Sequence, residues 1–168
     1  MSRADISIKE TGGVNSVPTD RWTVASGSTD AIKAGEPAKL SASTARYSVI
    51  LLADADLTIA SDQPMSGIAA TDSTETSSAS GYSDQYVPLP NVKWEIKAKT
   101  AANADSQSEI DALVGELYLI DLTSSKFTID TTGTAATAAF LIVGGDPNRS
   151  TVHFRIRPDA CAFGRASV

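Results

Sequence analysis

Residues 92–99 set the strongest constraint on the fold. Val92, Trp94, Ile96 and Ala98 alternate there with Lys93, Glu95, Lys97 and Lys99. Successive side chains of a strand point to opposite faces, so the run predicts a half-buried β-strand, apolar on one side and charged on the other. The remaining apolar runs are short: residues 47–52, 57–59, 117–122, 127–129, 140–143 and 151–157, the last with Val152, Phe154 and Ile156 facing one way. Residues 123–126 predict a hairpin turn between two of these runs. Gly144-Gly145-Asp146-Pro147-Asn148 predicts a turn that stops the 140–143 run. Residues 86–91 carry Pro88 and Pro90, which cannot donate to a ladder, and read as an extended edge piece.

One helix is expected. Ser106 and Glu109 fit a capping box, Ile110, Leu113 and Val114 form an apolar stripe, and Gly115 supplies the stop. Seven or eight short strands, one helix and no repeated βαβ rhythm predict a mainly β fold. The expected form is an antiparallel barrel or sandwich with the helix covering one end.

Composition limits how such a fold is filled. Ala, Ser and Thr make up about 63 of the 168 residues, and aromatics only 6%. Small side chains bury little area at roughly 25 cal/mol per Å², which predicts a thin core that a neighbouring subunit would complete. The net charge of −6 argues against nucleic-acid binding driven by phosphate neutralisation. No apolar run approaches the roughly 18 residues of a membrane span, and the start has no signal-like apolar stretch, so no membrane partner is expected.

Residues 1–30 are polar, with Gly12-Gly13, Pro18 and Ser26-Gly27-Ser28-Thr29, and their apolar residues follow no period. They predict a flexible N-terminal arm, with a β-rich domain over 31–168 that opens at the Ala34-Gly35-Glu36-Pro37 turn. Trp22 either folds back on its own domain or docks on a partner. In the docking reading Ile6, Ile8, Trp22 and Val24 are the contact residues. The Ser/Thr-rich stretch 62–84 predicts a long loop able to reach a neighbour.

Side chains with chemical potential are few. Asp54 and Asp56 share a strand face but read as a solvated turn. Gly144-Gly145 lacks the helix and lysine of a phosphate loop. His153 and Cys161 lie in one extended stretch without an orienting amide, so Cys161 reads as inert and partly buried. Asn148-Arg149-Ser150 is a chance sequon. No cofactor, metal or catalytic residue is expected. Arg149, His153, Arg155, Arg157 and Arg165 gather positive charge in an acidic chain. His153, Arg155 and Arg157 share one strand side, either an ordinary solvated face or a docking face for an acidic partner.

The order of these fragments resembles the decoration (cement) proteins of tailed-bacteriophage capsids. The resemblance is carried from about residue 20 onward by Ala34-Gly35-Glu36-Pro37-Ala38, residues 61–69, and Gly81-Tyr82 leading into Val87-Pro88-Leu89-Pro90. It continues through Ile110-Asp111-Ala112-Leu113-Val114-Gly115, Phe127-Thr128-Ile129-Asp130, residues 141–146 and Val152-His153-Phe154-Arg155-Ile156. It implies a β-tulip or SH3-like domain with a mobile N-terminal arm. It also implies a homotrimer made in the host cytoplasm, which binds the major capsid protein on the outer surface of the virion and stabilises the mature head without catalysis. A tail or fibre module and a carbohydrate-binding β-module are the alternatives.

Overall fold

The computed structural model describes residues 6–26, 31–41, 48–52, 64–134 and 136–162. Among them the chain forms β1 (Ser7–Glu10), β2 (Thr19–Val24), β3 (Pro37–Leu40), β4 (Ser48–Leu51), β5 (Met65–Ala69), β6 (Gly81–Tyr86) and β7 (Lys93–Lys97). Helix α1 (Gln107–Leu113) follows, then β8 (Leu117–Thr123), β9 (Lys126–Asp130), β10 (Phe140–Asp146) and β11 (Thr151–Ile156). The fold is mainly β, as the short alternating runs predict, but with eleven strands among the described residues rather than seven or eight.

Two units make up the fold. Strands β2-β4-β3-β5-β6 close into a barrel, and β1-β7-β11-β10-β8-β9 form a six-stranded sheet. Between these named strands every pairing is antiparallel except β2 with β4. The sheet also curls: the Lys99 N–H donates to the Ile129 carbonyl at 2.8 Å, and Ala98 bridges Ile129. The β9 edge thus returns to the residues that follow β7.

The alternation of residues 92–99 holds. Val92, Trp94, Ile96 and Ala98 are buried, and Phe140, Ile142, Val152, Phe154 and Ile156 join them in one continuous cluster. Phe140 and Phe154 meet edge to face at 5.2 Å, an arrangement aromatic quadrupoles favour. The cluster extends into the barrel through Met65, Ile68 and Leu52, so the two units share apolar packing. The barrel's own cluster is smaller: Val24, Ile32, Ala38, Val49 and Ala69.

Helix α1 starts on the expected capping box: Ser106 Oγ accepts from the Glu109 N–H, and the Glu109 carboxylate accepts from the Ser106 N–H at 3.0 Å. Ile110 and Leu113 are buried, but Val114 is 46% exposed. Val114 has left the helix (φ −65°, ψ 130°), which turns it off the apolar stripe. The β8–β9 hairpin closes on Ser124 and Ser125, both left-handed at φ 53° and 61°, the twist a two-residue hairpin needs.

Three expectations are corrected. The span 1–30 is not an arm over its described part: β1 pairs with β7, and β2 pairs with both β4 and β6. Periodicity is weak there because these strands expose much of their length and are held by backbone pairing to distant partners. Residues 62–84 do not form one loop, since β5 and the start of β6 lie inside them. Residues 70–80 are folded through their own Ser and Thr groups. The Tyr82 N–H donates to Thr74 Oγ1 at 3.1 Å, and the Ile32 N–H to Ser73 Oγ at 2.9 Å. At Gly81 a Cβ would lie 2.1 Å from the Glu75 nitrogen, so only glycine lets that loop fold down.

The third correction concerns Gly144-Gly145, which sits inside β10. A bulge falls between Ile142 and Gly144, and the chain turns only at Pro147–Arg149. A Cβ on Gly145 would lie 2.6 Å from the Thr151 carbonyl oxygen and 2.9 Å from Ile110 Cδ1, so the glycine seats α1 on the sheet. Residues 57–59 and the Asp54 and Asp56 pair lie outside the described residues.

Candidate functional site

The outward residues of β7 and β11 are brought side by side by register. His153 stands opposite Glu95, Thr151 opposite Lys97, and on β1 Ser7 is opposite Glu95 and Glu10 opposite Lys93. Opposed residues share a sheet face. One face therefore carries Lys93, Lys97, His153 and Arg155, joined by Lys9 from β1 and Arg149 from the Pro147–Arg149 turn.

Glu95 lies at the centre. Its side chain is only 5% exposed although it points outward, because three basic groups fold over it. Arg149 Nη1 is 2.7 Å from Oε1, while Lys9 Nζ and His153 Nε2 are 3.3 and 3.1 Å from Oε2. Burial pushes the Glu95 carboxyl up, but hydrogen bonds from His153 and Lys9 and the charge of Arg149 outweigh it and hold it below its ordinary value. Beside it Glu10 accepts from Lys93 Nζ at 2.8 Å. That bond, helped by the charge of Lys93 and of the more distant His153 and Arg155, lowers the Glu10 carboxyl against its desolvation.

Two carboxylates thus sit among five permanent cations, Lys9, Lys93, Lys97, Arg149 and Arg155, with His153 between them. In a chain of net charge −6 this face has the opposite sign to the whole. Such a surface attracts and orients an anionic partner, and its reach shrinks as salt rises.

The predicted contact residues divide. Arg149, His153 and Arg155 belong to this face. Arg157 does not: it lies beyond the end of β11, and its guanidinium turns to Asp159 at 2.6 and 3.1 Å and to the Ala136 carbonyl at 3.1 Å. Arg165 lies outside the described residues. The apolar set is corrected as well. Ile6 and Val24 are buried, Ile8 packs against the shared core, and Trp22 packs against the barrel core, because β1 and β2 are parts of the sheets. Those side chains are used by the fold.

Sequence reasoning missed Glu95, Lys9, Lys93 and Glu10. The alternation does place Glu95 outward. Its burial comes from long basic side chains donated by β1 and by the turn before β11, which are distant in sequence.

Cys161 lies in the core, where its Sγ donates to the Arg157 carbonyl at 3.4 Å. Burial, with a smaller contribution from Asp159, pushes its thiol up to about 12. The thiolate is the reactive form, so this cysteine is inert at neutral pH. Among the described residues no group of three or more His, Cys, Asp or Glu could hold a metal ion, and no helix is long and apolar enough to cross a membrane. Comparison with protein families, curated proteins and solved structures found no match.

Proposed function

We infer that the chain is a non-catalytic structural protein that binds the outer surface of a tailed-phage capsid and stabilises the mature head. The basic face around Glu95 is its docking surface, and the major capsid protein, met by homotrimers, is its partner. One observation carries this reading: Lys9, Arg149 and His153 are gathered over the buried Glu95 carboxylate, and Lys93 is held by Glu10, on a face built from paired strands. Side chains held that way lose less freedom when a partner arrives, which favours binding. The resemblance of the strand and turn fragments supports the choice of partner.

The test is cosedimentation of purified protein with expanded phage capsids stripped of decoration. Saturable binding that raises the temperature at which the shells rupture is expected. Arg149→Glu with Arg155→Glu should weaken it by about tenfold or more, and raised salt should weaken the unsubstituted protein in the same direction. Protein that stays in the supernatant, or capsids that rupture at an unchanged temperature, would overturn the reading.

A further inference from the structure

Among the described residues one sheet edge stays open. The barrel is closed, and the β9 edge is met by Ala98 and Lys99. At the other end of the sheet β1 pairs with β7 alone, and among the described residues no backbone hydrogen bond reaches its far side. Alternate residues of Ser7–Glu10 therefore turn their N–H and C=O groups outward, which is a template for a further strand. A cavity of about 390 Å³ lies beside that edge. Ile6, Ser7 and Ile8 line it in succession. Neighbouring side chains of a strand point to opposite faces, so the cavity abuts the edge itself as well as the inner face. Gly35, Ile68 and Ala70 contribute from the barrel side, and no charged residue lines it. The outer face of the same edge differs in kind: Ser7 stands opposite Glu95, and Lys9 reaches Glu95 at 3.3 Å, so both belong to the basic face.

We propose that β1 is a docking edge for an extended segment of another protein in which acidic and apolar residues alternate. The segment pairs with β1 as an added strand, its apolar side chains enter the cavity, and its carboxylates meet Lys9 on the outer face. The alternation required of the segment follows from that of β1: one set of its side chains lies on the Ile8 side and the other on the Lys9 side. At roughly 30 Å³ per water-sized group the cavity holds about a dozen non-hydrogen atoms, enough for the two inward side chains of a short strand. A charge in the inward set would lose its hydration without a partner, and a cation in the outward set would meet like charge. A second copy of β1 fits less well, because it brings its own Lys9 to the basic side. The segment is defined by this chemistry and not by the capsid reading, so the two stand or fall separately.

The probe is the capped peptide Glu-Val-Glu-Val-Glu, with two controls: Lys in place of every Glu, and the same sequence N-methylated throughout. The readout is backbone amide exchange in the ¹⁵N-labelled full-length chain. Amides of Ser7–Glu10 that exchange freely in the free chain should slow about tenfold or more as the peptide saturates, and neither control should slow them. Ala70→Phe, on the cavity wall but in neither apolar cluster, should weaken the peptide about tenfold by filling the space its valines need. Should that variant fail to fold, the two control peptides carry the test on the unsubstituted chain. A peptide that shifts only His153 and Arg155 without slowing the β1 amides, or an N-methylated peptide that acts equally, would overturn the proposal. So would β1 amides that are slow in the free chain and quicken on dilution, the mark of two copies paired edge to edge.

Discussion

The six-stranded sheet and the barrel fill their interiors with different materials. Inside the curled sheet lie Trp94, Phe127, Phe140 and Phe154, all essentially inaccessible, with a set of isoleucines between them. Inside the barrel the core is Val24, Ile32, Ala38, Val49 and Ala69, and polar groups are buried with it. Gln85 stands opposite Ala69 and Ser83 opposite Trp22, so both point into that interior. The alanine-rich composition is therefore unevenly spent: the sheet has an ordinary aromatic core, and the thin core the composition predicts belongs to the barrel. A closed barrel leaves no unpaired edge, so it is held more by its ring of backbone hydrogen bonds than by apolar area.

Substitutions can break this contrast. Phe154→Ala should lower unfolding free energy by about 3–5 kcal/mol, whereas Val24→Ala, two methyl groups smaller in a thinner core, should cost about 1–2 kcal/mol. Urea denaturation monitored by circular dichroism measures both, and equal losses would erase the distinction between the units.

Glu95→Gln tests the sheet's outer face. It leaves three basic groups crowded without their carboxylate and should cost about 1–2 kcal/mol at pH 7, discounted because Arg149 and Lys9 are well exposed. The folded Glu95 carboxyl lies below its ordinary value of 4.5. Its contribution is thus complete above that pH and lost as pH falls through the folded value. The variant should show a shallower acid limb of stability against pH, and an unchanged limb would refute the role of Glu95.

Gln85→Met tests the barrel from the opposite direction. Both amide atoms of Gln85 are buried and lack hydrogen-bond partners among the described residues. An apolar side chain of similar volume should raise stability by about 1 kcal/mol. Destabilisation by that exchange would show that the barrel interior relies on its polar groups. The smallest effect is expected at the hairpin: Ser124→Asn with Ser125→Gly suits the left-handed pair and should add about 0.5–1 kcal/mol, read as a higher melting temperature.

Legibility in the sequence follows the same division. The β7 alternation, the capping box of α1, the β8–β9 hairpin and the inward set Val152, Phe154 and Ile156 could all be read, because each is a local pattern tied to the aromatic core. The barrel could hardly be read. In β2 the polar Thr19, Asp20 and Arg21 are exposed and only Val24 is fully buried, while β5 is buried on both faces with the small residues Ser66, Gly67 and Ala69. Neither shows a period. Of the basic face around Glu95, Arg149, His153 and Arg155 could be read from one strand and its turn. Lys9, Glu10 and Lys93 could not, since the β1–β7 pairing that assembles them leaves no mark on either segment.

The order in which the strands pair has a consequence during synthesis. Ser7 must wait for Glu95, and Thr19 for Tyr86, before either can take its place. At roughly 5–20 residues per second the ribosome needs several seconds to supply those partners. Through that interval the growing polypeptide carries two strand-length segments with open backbone, and mispairing between nascent copies on one messenger is then at its easiest.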